Sequence, residues 1–221
     1  MNKEWSEKNK QFQQLVAKQA SYKDAIALLI ELRGELMRQI EQIFGEYPAE
    51  ALCRKPFSGD EGYHTKTLAY SVWHIFRIED ITAHTLLKND EQVFFSQGFD
   101  KSIGAEIITT GNELHGEAIA EFSKKLDMAA LLNYAQRVMQ STNEIMLGLE
   151  YAQLKRKFTD SDRQRIVDSH CVSADESAAW LIDYWCGKDI RGLMKMPFSR
   201  HWIMHIEAML RITSKLQSVR A

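Results

Sequence analysis

Hydrophobic residues recur every three to four positions over several long segments, a spacing typical of helices that pack on a shared core. The clearest segment covers residues 22–45, where the period persists for about six turns. Gly45 and Pro48 follow it and predict its end. Core packing is the only role that this pattern indicates for the first long helix.

Three further segments repeat the helical spacing and complete a set of four long helices: 64–88, 128–150 and 199–217. Asp127 is placed to cap the second of these segments, and Ser199 to cap the third. The segment 64–88 is apolar on two sides, which predicts a central position. Because strand-like alternation is scarce, the sequence predicts an all-α chain arranged as an up-and-down four-helix bundle.

The remaining segments predict additions to one bundle domain covering residues 1–221. Residues 1–20 are mostly polar and predict a helical arm, packed either on the bundle or on a second subunit. Residues 90–125 and 151–195 predict insertions or connecting helices, near 103–125, 160–169 and 176–186. The last of these is rich in aromatic residues, namely Trp180, Tyr184 and Trp185.

Composition and charge narrow the class of protein. The net charge is −2 with dispersed Lys and Arg, so nothing indicates a nucleic-acid partner. Three cysteines without a CxxC pair disfavour a thiolate zinc site or a disulfide framework and fit a reducing compartment. The longest purely apolar run is 25–30, far short of a membrane span, and residues 1–14 lack the apolar stretch of a secretion signal. We therefore expect a cytoplasmic protein without a membrane partner.

Two histidines on the closing helix are the first candidates for chemistry. His201 and His205 are four residues apart and therefore lie one turn above each other on the same helix face. The same row continues through Ala208 and Ile212, which indicates that the pair faces the core. An inward-facing pair is explained either by a metal ion or by hydrogen bonds within the core.

Geometry limits which other histidine can join this pair. His64, His74 and His84 are each ten residues apart, so along one helix they are separated by about 15 Å. Zinc–nitrogen bonds are about 2.0–2.1 Å, so at most one of the three can bind the same ion. His74 lies mid-helix on an apolar row and is the best candidate, although a core histidine bonded to a carbonyl or hydroxyl is the simpler explanation for it alone. The other four histidines are expected to be solvated or to cap helices: His64, His84, His115 and His170.

Other chemistries find weaker support. HExxH, GxGxxG and P-loop motifs are absent. A di-iron bundle needs two ExxH motifs, and the chain has one, Glu61–His64. Cys171 follows His170, but neighbouring residues on a helix point in different directions, so a Cys–His nucleophile is a weak hypothesis.

The order of these motifs resembles the DinB-like family of metalloenzymes, which includes the YfiT-like proteins. A first helix without ligands is followed by a helix with a central histidine, SVWHIFRIED, and a late helix with HxxxH, MPFSRHWIMH. The resemblance implies a four-helix bundle that binds a divalent metal through His74, His201 and His205. The chain departs from the family in its extra segments 90–125 and 151–195, and in the Ile-Glu-Ala that follows HxxxH.

The resemblance also implies an activity: hydrolysis, or transfer of a low-molecular-weight thiol to a small electrophile. Three neutral nitrogen ligands with an open fourth position are typical of catalytic zinc, so Zn²⁺ is the simplest metal, with Ni²⁺ or Fe²⁺ as alternatives. Tyr70 and Arg77 are the candidate substrate contacts, since each lies near the face of His74. Glu79 and Asp80 point about 140° and 120° away from His74, so the sequence offers no general base.

The alternative hypothesis is a non-catalytic helical protein, such as a stress-response or binding module. Its histidines would be core residues or a structural metal site. A homodimer is expected in either case.

Overall fold

The computed structural model describes residues 2–59 and 62–218, and its regular structure is helical, which confirms the all-α prediction. The described part contains no strand, only an isolated bridge between Lys157 and Asp189. None of its helices combines the length and apolarity needed to cross a membrane. In chain order the α-helices are α1 Lys3–Leu15, α2 Tyr22–Glu46, α3 Ala49–Leu52, α4 Leu68–Asp80, α5 Val93–Ser96, α6 Phe99–Ser102, α7 Glu117–Lys125, α8 Met128–Gly148, α9 Asp160–Asp168, α10 Glu176–Cys186, α11 Ile190–Lys195 and α12 His201–Ser218.

Four of these helices, α2, α4, α8 and α12, supply most of the main core. Helix α4 packs on α8 and α12, and α2 packs on the same two helices. These contacts place the four helices in a ring with the order α2, α8, α4, α12. The ring encloses apolar side chains from all four: Leu36, Ile40, Val72, Trp73, Leu131, Val138, Ile206 and Met209.

Helix α1 packs on α2 of its own chain, which is the first of the two arrangements expected for the N-terminal arm. Its anchors Trp5 and Phe12 are buried, as their spacing indicates. Lys8 adds ion pairs with Glu31 and Glu35 of α2. The helix ends at Leu15, before the predicted boundary at residue 20.

Helix α4 starts later than predicted, at Leu68, because the Thr67 hydroxyl caps it by accepting from the backbone N–H of Tyr70 at 2.9 Å. A π-helical segment, Ile81–Lys88, continues the helix to Asn89, which adopts the left-handed conformation. Every residue in 68–87 is buried. The central position predicted for this segment is therefore confirmed.

The first insertion packs on α4 through α5 and α7, and the second packs through α9 on the segment Ile81–Lys88 that continues α4. Residues 103–116 form an irregular loop instead of the predicted helix, and only Glu117–Lys125 is helical. Helices α9 and α10 match the predicted segments 160–169 and 176–186. They contribute to a second core cluster that also includes residues of α1 and α2, such as Phe12, Leu29, Ile166 and Trp185.

Candidate metal centre

His74 of α4 and the two histidines of α12, His201 and His205, converge at one point in the core. They are 7%, 7% and 2% exposed. One ring nitrogen from each lies within 4.8 Å of the other two. Two nitrogens bound to one ion at the bond lengths given above are at most about 4.2 Å apart, so the widest-separated pair would have to draw closer when an ion binds. The three-histidine cluster predicted from the sequence is therefore present, and it could hold a metal ion.

The separation between His74 and His201 suits a tetrahedral ion. The Nε2 atoms of His74 and His201 are 3.3 Å apart. Two nitrogens bound to one tetrahedral zinc ion at 2.0–2.1 Å are separated by about 3.3 Å. The same distance also permits a weak N–H···N hydrogen bond between these two rings, so the third histidine decides between the two explanations.

His205 is the ring that hydrogen bonding within the core does not explain. Both of its nitrogens, and Nδ1 of His201, are buried and without a hydrogen-bond partner among the described residues. A neutral imidazole always carries one N–H donor and one acceptor nitrogen, and leaving such atoms unpaired in the core costs about 1–3 kcal/mol each. A metal ion between the rings would use the one lone pair that the His205 ring offers, so the residues present fit such an ion.

A backbone carbonyl sets the orientation of His74. Its Nδ1 lies 2.9 Å from the carbonyl oxygen of Thr110, in the loop 103–116. A carbonyl only accepts, so Nδ1 carries the proton and Nε2 presents its lone pair toward His201. Hydrogen bonding of this kind on the far nitrogen is how proteins orient metal-binding histidines.

Burial keeps all three imidazoles neutral. It lowers the pKa of His74 to about 4, with the Lys66 charge acting in the same direction and the Thr110 hydrogen bond opposing it. Burial also lowers the pKa of His201 and His205 well below the usual value, helped by their proximity to the other imidazoles. The neutral form is the one that binds a metal ion.

A buried ion pair connects the helix of His74 to the segment that precedes His201. Arg33 of α2 pairs with Glu79 of α4 at 2.6 and 2.9 Å and donates to the Phe198 carbonyl at 2.8 Å. Glu79 also accepts from the indole N–H of Trp202 at 2.7 Å. These contacts fix α4 and the start of α12 relative to each other. Glu79 is thus engaged away from the imidazoles, as its direction on the helix predicts.

Arg77 forms a second buried network, whereas the sequence suggested a contact with a substrate. Its guanidinium pairs with Asp80 at 3.2 Å and donates to Tyr134 at 3.0 Å and to Gln92 at 2.8 Å. It also donates twice to the carbonyl oxygen of Ile108, at 2.7 and 3.1 Å. Fully buried among the protein's own acceptors, Arg77 instead anchors the loop whose Thr110 carbonyl orients His74.

Tyr70 lies beside the site, but its hydroxyl is already used. The ring stacks on His74 with centroids 5.7 Å apart, and the hydroxyl donates to the carbonyl of Gly111 at 2.9 Å. Gly111 has a φ of 79°, which disfavours other residues there. Tyr70 therefore supports His74 and the loop, whereas the sequence suggested a hydrogen bond from Tyr70 to a substrate.

Of the other four histidines, three are exposed or half-buried and one is buried. His115 and His170 are exposed and His64 is half-buried. His84 was expected to be solvated or capping, but it is buried and bonds Asp90 at 2.6 Å and Ser141 at 3.1 Å.

Three further predictions concern a Cys–His pair, a helix cap and the ExxH motif. Cys171 is fully buried whereas His170 is exposed in a left-handed conformation, so they do not form a nucleophilic pair. Ser199 does not cap α12, because its hydroxyl donates to the carbonyl of Met194 at 2.8 Å within a π-helical turn, Met196–Arg200. Glu61 of the ExxH motif lies outside the described residues.

Two of the three histidines line a cavity of about 290 Å³. Its other walls are mostly aromatic or apolar, and Asn112 is an additional polar residue. Larger clefts lie elsewhere on the surface, but in the part of the chain that the structure describes they include none of the three histidines. The cavity therefore gives a small molecule access to the cluster. Its aromatic side chains are Tyr63, Trp180, Tyr184 and Trp185.

Fold and site together define an all-α protein with a buried three-histidine group that could hold a metal ion. Comparison with known proteins adds no further identification: no protein-family model matches the chain, and no curated protein matches it significantly.

Proposed function

We propose that this protein is a divalent-metal-dependent enzyme whose ion is bound by His74, His201 and His205. The observation that carries the proposal is the buried cluster itself, with unpartnered nitrogens on His201 and His205. Its position at a cavity large enough for a small molecule favours catalysis over a purely structural site. Zn²⁺ is the simplest ion for three imidazoles, with Ni²⁺ or Fe²⁺ as alternatives.

When bound, a divalent ion supplies positive charge that lowers the pKa of a water or thiol beside it and so makes a nucleophile available near pH 7. The chain contributes the orientation of the ligands. Thr110 fixes the tautomer of His74, and the Arg33–Glu79 pair fixes the start of α12. The apolar walls of the cavity exclude water from the reacting groups.

The reaction we favour is transfer of a low-molecular-weight thiol to a small electrophile, with hydrolysis as the other possibility. Within residues 2–59 and 62–218, no carboxylate belongs to the cluster. Glu79 and Asp80, the nearest acids along α4, are engaged in buried ion pairs. A thiol, with a pKa of about 8.5, needs less help from an ion to ionise near neutral pH than water, with a pKa of about 15.7.

Membership in the DinB-like family is part of this proposal. The support is the position of the three histidines on two helices of the packed ring, in the order that the resemblance implies. The covering loop 103–116 and the helices of 151–195 distinguish this chain from that pattern.

Metal analysis of protein purified without a His tag tests the site. We expect about one divalent ion per chain in the wild type and a loss in His74→Ala and His205→Ala. His115→Ala is the matched control, because His115 is exposed and outside the cluster. A metal-free wild type of full stability, even after incubation with Zn²⁺, would refute the proposal.

A turnover assay tests the enzyme claim separately. Metal-loaded protein would be incubated with small thiols paired with electrophiles and with ester substrates, and the His205→Ala variant would measure background. Metal binding without turnover on either panel would favour the alternative, a binding module with a structural metal site. The missing carboxylate base is the observation that keeps this alternative in view.

A further inference from the structure

Three aromatic side chains at the cavity mouth are unusually exposed. Trp180 and Tyr184 of α10 are 51% and 36% exposed, and their rings meet edge to face with centroids 5.5 Å apart. Tyr63, which is 42% exposed, also lines the cavity, and its ring centroid lies 4.6 Å from that of His205. Exposed large aromatic residues that converge on one opening, rather than scattering singly, indicate a binding surface.

The cavity has no ionisable wall that would bind a charged substrate. Apart from its two histidines, the lining contains no Asp, Glu, Lys or Arg among the described residues. Lys188 contacts the ring of Tyr184, with the ammonium 3.8 Å from the centroid, but is not part of the lining. A charged group inside the cavity would therefore lose its hydration without a counter-charge other than a bound ion.

The aromatic wall lies against the loop that orients His74. The Ser177 hydroxyl is 3.2 Å from the carbonyl oxygen of Asn112, while its single proton is donated to the closer Asp175 carboxylate at 2.5 Å. The Trp180 indole donates to the Ser177 carbonyl at 2.9 Å. Asn112 is two residues from Thr110, whose carbonyl accepts from His74, so the wall and the proposed metal ligand contact the same loop.

We propose that this cavity selects the uncharged, ring-bearing part of a substrate whose single donor group reaches the ion. The substrate class is a small aromatic molecule, or one with a similarly flat apolar group, that carries a thiol or comparable donor and no second charge. The ring would stack on Trp180 and Tyr184, and the donor would approach His74 and His201. This inference rests on the proposed function, since the donor needs an ion to bind.

Cobalt-substituted full-length protein allows a direct test, because its visible spectrum reports both the histidine ligands and the arrival of a sulfur ligand. Three thiols would be titrated: 4-methylbenzenethiol, 4-mercaptobenzoate and 2-mercaptoethanol. Relative to 4-methylbenzenethiol, 4-mercaptobenzoate adds a negative charge, and 2-mercaptoethanol lacks the ring. We expect 4-methylbenzenethiol to bind at least tenfold more tightly than either of the others.

Two variants separate the aromatic wall from general effects on the protein. Trp180→Ala removes an exposed ring and is expected to reduce the preference for 4-methylbenzenethiol over 2-mercaptoethanol at least fivefold. Leu147→Ala is the matched control: Leu147 is also exposed and apolar but lies outside this cavity. Its titrations should match those of the wild type, and its cobalt spectrum should be unchanged.

Different outcomes contradict the proposed function and this inference. No cobalt spectrum in the wild type would overturn the proposed function and this inference with it. A three-nitrogen cobalt spectrum with equal affinities for the three thiols would overturn the inference alone. So would an unchanged preference in Trp180→Ala.

Discussion

Glu79 illustrates how much of this site depends on single buried residues away from the three histidines. It pairs with Arg33 through two hydrogen bonds and accepts from Trp202, all in the core. The guanidinium of Arg33 also lies 4.4 Å from the centroid of the Trp202 ring. The free energy of this network depends on both charges being present, because a lone buried charge is far costlier than a pair.

Replacing Glu79 by Gln tests that dependence. The amide keeps the shape but leaves the Arg33 charge uncompensated in the core, so we expect a loss of about 3–5 kcal/mol in the free energy of unfolding. Urea denaturation measures it.

Two comparisons make the Glu79 result specific. Glu121→Gln removes the same charge from an exposed ion pair with Lys124 and should change stability little. The double variant Arg33→Met with Glu79→Gln should recover part of the loss. A single variant as stable as Glu121→Gln would show that the buried pair contributes nothing.

The sequence predicts the three histidines but not the residues that support them. His201 and His205 follow from a four-residue spacing, and His74 from its place on a buried row. Arg33 and Thr110 have no comparable signal. A periodic pattern predicts which face of a helix is buried but not the charge that it meets there, and a carbonyl ligand can come from any residue type.

At the scale of elements, the loop 103–116 has the largest effect on the site. It replaces a predicted helix, and its carbonyls bond His74, Arg77 and Tyr70. Its glycines break the helix, and Gly111 brings the backbone against α4. A β-carbon added at Gly111 would lie 2.9 Å from Cε2 of Tyr70.

We therefore expect Gly111→Ala to weaken metal binding. The added carbon would displace Tyr70 and the carbonyl of Thr110, and loss of such support costs about 10–100-fold in metal affinity. Competition with a chromophoric chelator measures the affinity.

Gly98→Ala is the matched control for Gly111→Ala. Its φ is 72° against 79° at Gly111, but a β-carbon there meets nothing within 4 Å. Both variants should lose about 1–2 kcal/mol from backbone strain, and only Gly111→Ala should lose metal affinity. Equal affinities in the two variants would contradict a role for the loop in orienting His74.

Helix boundaries show where local rules give way to tertiary contacts. Asp127 caps α8 as predicted, accepting from the backbone N–H of Ala130 at 2.8 Å. Ser199 has the same local features, but it is buried and bonds Met194 instead. The π-helical segments that continue α4 and precede α12 leave no signature in the hydrophobic periodicity of the sequence.

At the scale of the whole molecule, the helical class and most long helices follow from periodicity, while the packing arrangement does not. Helices α2 and α4 follow each other among the long helices, yet within the ring each packs on α8 and α12. The periodicity of the sequence indicates which helices exist. Which pairs of helices pack together depends on the shapes of their faces. This ring brings His74 to the two histidines of α12.

Because the ion would connect α4 with α12, we expect metal to stabilise the entire fold. At a free Zn²⁺ concentration about 100 times the dissociation constant, binding contributes about 2.7 kcal/mol. For a chain of this length that corresponds to a rise of about 5–10 °C in the midpoint of thermal unfolding. Scanning calorimetry of chelator-treated protein, with and without Zn²⁺, measures the rise.

His205→Ala should abolish this rise while the protein remains folded. An unchanged midpoint in the wild type, or an equal rise in His205→Ala, would place the bound ion elsewhere.

The separation between His74 and His201 has a consequence for biosynthesis. They are 127 residues apart in the chain, so a ribosome that has released α4 holds only one of the three ligands for most of the remaining synthesis. We therefore expect an ion at the proposed site to bind after α12 has docked, so that metal acts on completed chains rather than on their synthesis.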